Sequence, residues 1–192
     1  MVNNYIVNYL NEVKTICDSI SVEDIIKFSA SIQTVKSKKG RLFFLGVGGS
    51  AGNASHAVND FRKILGIESY SVSDNVSELT ARINDDGWDT CYSNWLKISK
   101  LSENDAIVIF SVGGGSSTTS QNLVQSIDLA KQIGAKVLSV VSRNGGYCRE
   151  KSDVSILIPV VHSDRITPHA EEWQGIIWHL VVNLLVEKTN EN

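Results

Sequence analysis

The chain has 192 residues, of which 42% are apolar, 20% charged and 7% aromatic. That usage excludes a disordered, collagenous or low-complexity protein and fits a single folded domain, which at this size buries about 70% of its unfolded surface. Lysine and arginine total 18 against 21 aspartates and glutamates, a formal net charge of −3, so the basic excess of a nucleic-acid binder is missing and no such partner is expected.

From the N-terminus, Tyr5, Ile6, Tyr9, Leu10, Val13, Ile16 and Cys17 recur at three- and four-residue spacing, which predicts an amphipathic helix. Ser21, followed by Glu23 and Asp24, reads as the N-cap of a second helix ending near Gly40. Residues 1–40 thus form a helical arm suited to an oligomer contact, and 41–192 a single structural unit. Apolar runs at Leu42–Leu45, Ala106–Phe110, Val137–Val141 and Val154–Pro159 have strand length and β-branched content. Helical stretches lie at about 50–65, 76–98 and 118–133, and a last amphipathic helix runs from about Glu171 to Lys188 with Trp173, Ile176, Ile177, Leu180, Leu184 and Leu185 on its buried side. Strands alternating with helices imply βαβ units, hence an α/β fold with a doubly wound parallel sheet flanked by helices.

Lys36, Lys38, Lys39 and Arg41 read as a solvated helix end. No apolar run is long enough to span a bilayer, so no membrane partner is expected. Met1–Leu10 lacks the basic flank of a signal peptide. Cys17, Cys91 and Cys148 are odd in number and form no CxxC, which fits a reducing compartment, the cytoplasm.

Ligands of an open parallel sheet bind outside the carboxyl ends of its strands. Gly46-Val47-Gly48-Gly49-Ser50-Ala51-Gly52 follows the first strand, and Ser111-Val112-Gly113-Gly114-Gly115-Ser116-Ser117-Thr118-Thr119-Ser120 follows the second. Each offers converging backbone amides, hydroxyls and a helix N-terminus, a combination that holds a phosphate without lysines. Neither loop is the dinucleotide fingerprint or a P-loop. His56 and Asp60 are four apart on the helix after the first loop, so they share a face. His169, Glu171, Glu172 and His179 lie at and within the last helix. Such a set either ligates a divalent metal such as zinc or performs acid–base chemistry on a sugar. Each piece alone has an ordinary structural reading: a surface helix pair for His56 and Asp60, and a core histidine for His179.

Taken together, these motifs resemble the sugar isomerase (SIS) domain, and within it the phosphoheptose isomerases, over nearly the whole chain. The resemblance rests on the helical arm, the Gly-Gly-Ser entry with His56 and Asp60, the stretch Ser73-Asp74 through Leu79-Thr80-Ala81 to Asn84-Asp85, the loop at 111–117, and the helix with Glu171 and His179. It implies conversion of sedoheptulose 7-phosphate to D-glycero-D-manno-heptose 7-phosphate through an enediol, in nucleotide-activated heptose synthesis. By the same resemblance Asp60 is the base and His179 its acid partner. Substrate contacts fall on Gly48, Gly49, Ser50, Asn84, Asp85, Ser111, Gly113, Ser116, Ser117, Asp164 and Glu171. Zinc ligands fall on His56, Asp60, Glu171 and His179, with His169 as an extra candidate. The family is typically a homotetramer with sites at subunit interfaces.

The chain departs from the family pattern at several places. Val47 replaces an asparagine, Asp60 a glutamate and Glu171 a glutamine; the 111–120 loop is longer; and Thr167-Pro168-His169-Ala170 looks inserted. These departures cluster around the site and keep two alternatives open: a SIS-fold isomerase for another sugar phosphate, and a non-catalytic SIS-fold regulator of the kind that associates with the replication initiator. Retention of His56, Asp60, Glu171 and His179 argues against the regulator.

Overall fold

The computed structural model describes residues 2–190, with side chains through residue 187. Two helices come first, α1 (Val2–Ser19) and α2 (Val22–Ser37). Then follow β1 (Leu42–Leu45), α3 (Gly49–Lys63), β2 (Ser69–Ser71), α4 (Val76–Asp86), α5 (Cys91–Ile98), β3 (Ala106–Ser111), α6 (Gln121–Ile133), β4 (Lys136–Val141), α7 (Gly146–Lys151) and β5 (Val154–Leu157). A single 3-10 turn at Ser163–Arg165 leads into the long α8 (Ile166–Asn190). No helix among the described residues is long and apolar enough to cross a membrane.

All strand pairs are parallel, in the order β2-β1-β3-β4-β5. Successive strand residues point to opposite faces, and here both faces are apolar and covered. Leu42, Phe44, Val108 and Phe110 pack with α2, α3 and α8, while Phe43, Leu45, Ile107 and Ile109 pack with α5 and α6. This is the doubly wound α/β sheet that the alternating pattern predicts. Ser21 caps α2 as expected, its Oγ accepting the Asp24 amide at 3.1 Å. That helix sends Ile25, Phe28, Ile32 and Val35 into the core, whereas α1 buries only Ile16. The chain leaves β1 toward one sheet edge and β3 toward the other, so the crevice of this topology opens between the carboxyl ends of β1 and β3.

Several boundaries differ from the sequence expectation, each for a local reason. The polar three-residue β2 carries no hydrophobic run to announce it. The helix expected over 76–98 is two helices, with Gly87 ending the first. Ser116–Ser120 stay in the loop, and α6 starts at Gln121. The long final helix begins at Ile166 rather than Glu171, because Thr167-Pro168-His169-Ala170 forms its opening turn. Proline is tolerated there, where its missing amide has no partner to lose.

Arg41 is not a solvated basic residue. Its guanidinium and backbone amide grip Asp105 at 2.8 Å each, and it also donates to the carbonyls of Ser99 and Lys100. Asp105 further accepts the Ser102 amide and hydroxyl. This latch ties the entrance of β1 to the entrance of β3 and fixes their register. Burial acts to raise the Asp105 carboxyl, but the hydrogen bonds from Arg41 and Ser102 outweigh it and hold the pKa below the usual carboxylate value. A carboxyl depressed in the folded state contributes stability above its unfolded pKa of about 3.9, and loses it as pH falls through the lower folded value. Asp105→Asn is therefore predicted to cost about 1–3 kcal/mol at pH 7. Denaturant titration should show that difference shrinking as pH drops below 4; a pH-independent difference contradicts the latch.

Candidate active site

The first glycine loop leaves β1 and turns directly into α3. Tyr92 on α5 braces the turn from below, its hydroxyl donating to the Gly46 carbonyl at 2.7 Å, and burial pushes that phenol up to about 12. Gly49 opens α3 beneath the side chain of Glu171, and a Cβ there would stand 2.3 Å from the Glu171 carboxylate. A side chain there would push the Glu171 carboxylate aside. Ser50 is buried rather than facing the crevice, with its Oγ accepting from Gln174 Nε2 at 3.1 Å. Gln174 also accepts from Asn53 Nδ2 at 2.9 Å, and the same amide nitrogen reaches the Glu171 carbonyl. This seam welds α3 to α8 and sets the two helices in phase.

One turn and more along that seam, the paired helices bring His56, Asp60 and His179 together. One ligand atom from each lies within 4.8 Å of the others, with the carboxylate buried between two exposed imidazoles. His56 and Asp60 share the α3 face that their spacing predicts, and His179 Nε2 stands 3.4 Å from Asp60 Oδ2. Trp178 Nε1 donates to that oxygen at 3.1 Å and Asn59 Nδ2 to the other at 3.0 Å, so the carboxylate cannot rotate freely. His179 Nδ1 lies 2.8 Å from the Gly175 carbonyl, which can only accept. The proton therefore sits on Nδ1, and Nε2 presents its lone pair to the cluster. Two imidazoles and a carboxylate at this spacing suit a divalent transition metal as a donor set.

The second loop, after β3, forms an open cleft of about 370 Å³ lined by Gly113, Gly115, Ser116, Thr119, Ser120, Arg143, Asn144 and Gly146. Ser111, expected to touch substrate, is buried, and its Oγ accepts the Gly114 amide at 3.0 Å. Ser116 is exposed and orders the loop by accepting the Thr118 and Thr119 amides. The amides of Gly113, Gly115 and Ser117 have no acceptor among the described residues. The loop after β4 locks against this one: Tyr147 and Cys148 donate to the carbonyls of Gly115 and Gly114, and a Cβ at Gly146 would strike both Gly113 and Gly115 oxygens at 2.4 Å.

Other sequence candidates lie apart from the cluster. Glu171 is not among its donors; its carboxylate is turned onto Gly49. His169 is buried and committed elsewhere, with Nε2 2.8 Å from Glu12 on α1 and Nδ1 3.3 Å from Glu172. Arg165 completes that group by gripping Glu12, whose carboxyl it and His169 hold down at about 2. These contacts fasten α1 to the head of α8. Asn84 and Asp85 are exposed on α4, where Asn84 Nδ2 donates to Asp85 at 2.8 Å. Asp164 is exposed in the 3-10 turn, its oxygen accepting from Ser163. Two residues went unforeseen. Gln174 carried a signal, since it falls three residues after Glu171 and four before Trp178 on one helix face. Arg143 lies in a short polar turn that nothing in the sequence ties to the β3 loop.

No protein-family model matches the chain. The phosphoheptose isomerase of Helicobacter pylori strain P12 is 28% identical over 172 residues, 86% of this chain and 84% of that protein. That of Syntrophotalea carbinolica is 28% identical over 187 residues, 92% of this chain and 90% of its own length. Among solved structures, the phosphoheptose isomerase of Neisseria gonorrhoeae superposes with a TM-score of 0.81 at 21% identity, covering 95% of each chain. The chain shares the fold of that solved phosphoheptose isomerase, and in sequence it is similar over most of its length to the phosphoheptose isomerases.

Proposed function

We propose that the protein is an aldose–ketose isomerase that converts sedoheptulose 7-phosphate to D-glycero-D-manno-heptose 7-phosphate, in the synthesis of nucleotide-activated heptose. One pair of observations supports the reading: an open cleft with unpartnered amides follows β3, and a His56, Asp60, His179 cluster lies where α3 meets α8. The cleft suits the phosphate, through Gly113, Ser116 and Ser117. Gly48, Gly49 and Glu171 border the sugar, and Asn84, Asp85 and Asp164 are assigned to its hydroxyls from the family resemblance.

Asp60 takes a proton from C1 of the ketose, exchanges it with solvent while the enediol is bound, and delivers one to C2. His179, working through the Nε2 lone pair, takes the proton of the C1 hydroxyl and hands it to the C2 oxygen, so that the carbonyl moves from C2 to C1. The Gly175 carbonyl holds the imidazole in the tautomer this shuttle needs. His56, Asp60 and His179 are also the residues that would hold zinc, which when bound supplies Lewis-acid polarisation of the carbonyl. A homotetramer in the cytoplasm belongs to the same proposal, and Tyr5, Ile6 and Leu10 of α1 with Ile176 and Leu180 of α8 support self-association by their exposure.

Asp60→Asn and His179→Ala should each lower kcat for this substrate by roughly 10²–10⁴-fold, read by NMR of the aldoheptose phosphate, while inorganic phosphate still binds. Unchanged turnover in either variant contradicts the acid–base assignment. No turnover in the wild type with phosphate bound favours another sugar phosphate or a regulator. Calorimetry with zinc alone should show binding weakened by about 10-fold or more in His56→Ala; equal binding by wild type and variant removes the metal from the proposal.

A further inference from the structure

We infer that Arg143 is the specificity-determining cation of the anion cleft, the residue that selects a phosphorylated sugar over its unphosphorylated counterpart. The inference rests on the cleft's being the phosphate site and adds to it a residue from the loop after a different strand. The β3 loop brings amides, hydroxyls and the start of α6, but no formal charge. A phosphomonoester carries about −1.5 to −2 at neutral pH, and a helix N-terminus supplies only about +0.5. Arg143 is the one cationic residue lining the cleft. It is exposed, and its guanidinium has no hydrogen bond, ion pair or ring contact among the described residues. By contrast, Arg41, Arg82 and Arg165 are all held by carboxylates.

The backbone points the same way. Residues 142–145 form a tight turn closed by the Gly145 amide on the Ser142 carbonyl at 2.9 Å, and Arg143 takes its second position with φ +55°. Glycine, asparagine and aspartate suit that position, whereas a long side chain is strained there. Neighbouring bonds leave the turn no freedom to relax. Buried Ser142 donates its amide to Val112 and its hydroxyl to Ile158, and Gly146 is wedged against the carbonyls of Gly113 and Gly115. Lys39 and Lys100 hold the same left-handed conformation elsewhere, so what sets Arg143 apart is an idle guanidinium lining a cleft, in a turn its neighbours hold in place. Guanidinium offers a planar fork of donors matched to phosphate oxygens, and it never loses its charge.

The two candidate functions of the side chain, structural and binding, predict opposite results for Arg143→Gly. Glycine removes the backbone strain, so thermal stability should stay the same or rise. Binding of inorganic phosphate, measured by calorimetry on the full-length protein, should weaken by about 10- to 100-fold, with Arg143→Lys intermediate because it keeps the charge and loses the fork. KM for sedoheptulose 7-phosphate should rise by a similar factor with kcat little changed, and the preference over unphosphorylated sedoheptulose should fall. Wild-type levels of phosphate binding in Arg143→Gly, or no phosphate binding by the wild type, overturn the inference. Arg143-dependent phosphate binding without turnover of the heptulose phosphate upholds it and counts only against the substrate proposed above.

Discussion

The parallel pairing of β1 with β3 is the constraint on which the rest of the molecule depends. It makes the chain reverse direction across the sheet, and a crevice opens where two successive loops diverge. The Arg41–Asp105 latch secures the entrances of both strands, and the exits then carry the two glycine loops side by side. Both loops take their starting positions from buried backbone ladders, and Tyr92 on the first and the β4 loop on the second then fix their course.

A second layer of order comes from α8 lying along α3. Asn53, Gln174 and Ser50 join them through buried hydrogen bonds, and Trp178 reaches across to Asp60. With the helices fixed in phase, the four-residue spacing of His56 and Asp60 meets His179 from α8 across the seam. Asp60 is one methylene shorter than glutamate, and here it reaches the cluster while pinned by Trp178 and Asn59. The additional turn at the head of α8 leaves this face intact. Its residues serve α1 instead, through the buried His169 and the Glu12–Arg165 pair.

The apolar strands and the amphipathic helices were legible in the sequence because burial imposes a period on them. Ser69–Ser71 was not, since an edge strand of three polar-flanked residues needs no such pattern. Within the site, His56 and Asp60 were readable because one helix sets their spacing, and His179 joined them through family resemblance. Glu171 entered the set by the same resemblance and His169 as an extra candidate beside it, but one turns onto a glycine and the other onto α1. Ser50 and Ser111 look like loop hydroxyls in the sequence and are buried hydrogen-bond acceptors in the fold. Arg143 could not be found from spacing at all. Its place at the cleft depends on glycines of two loops interlocking, a contact between residues some thirty positions apart.

Isomerisation of sedoheptulose 7-phosphate in deuterated water, followed by NMR, reads out whether proton transfer passes through an enediol. Proton transfer through an enediol by a side-chain base predicts aldoheptose 7-phosphate carrying deuterium at C2. Absence of conversion, or product formed with no solvent deuterium at C2 under any extent of reaction, contradicts the account.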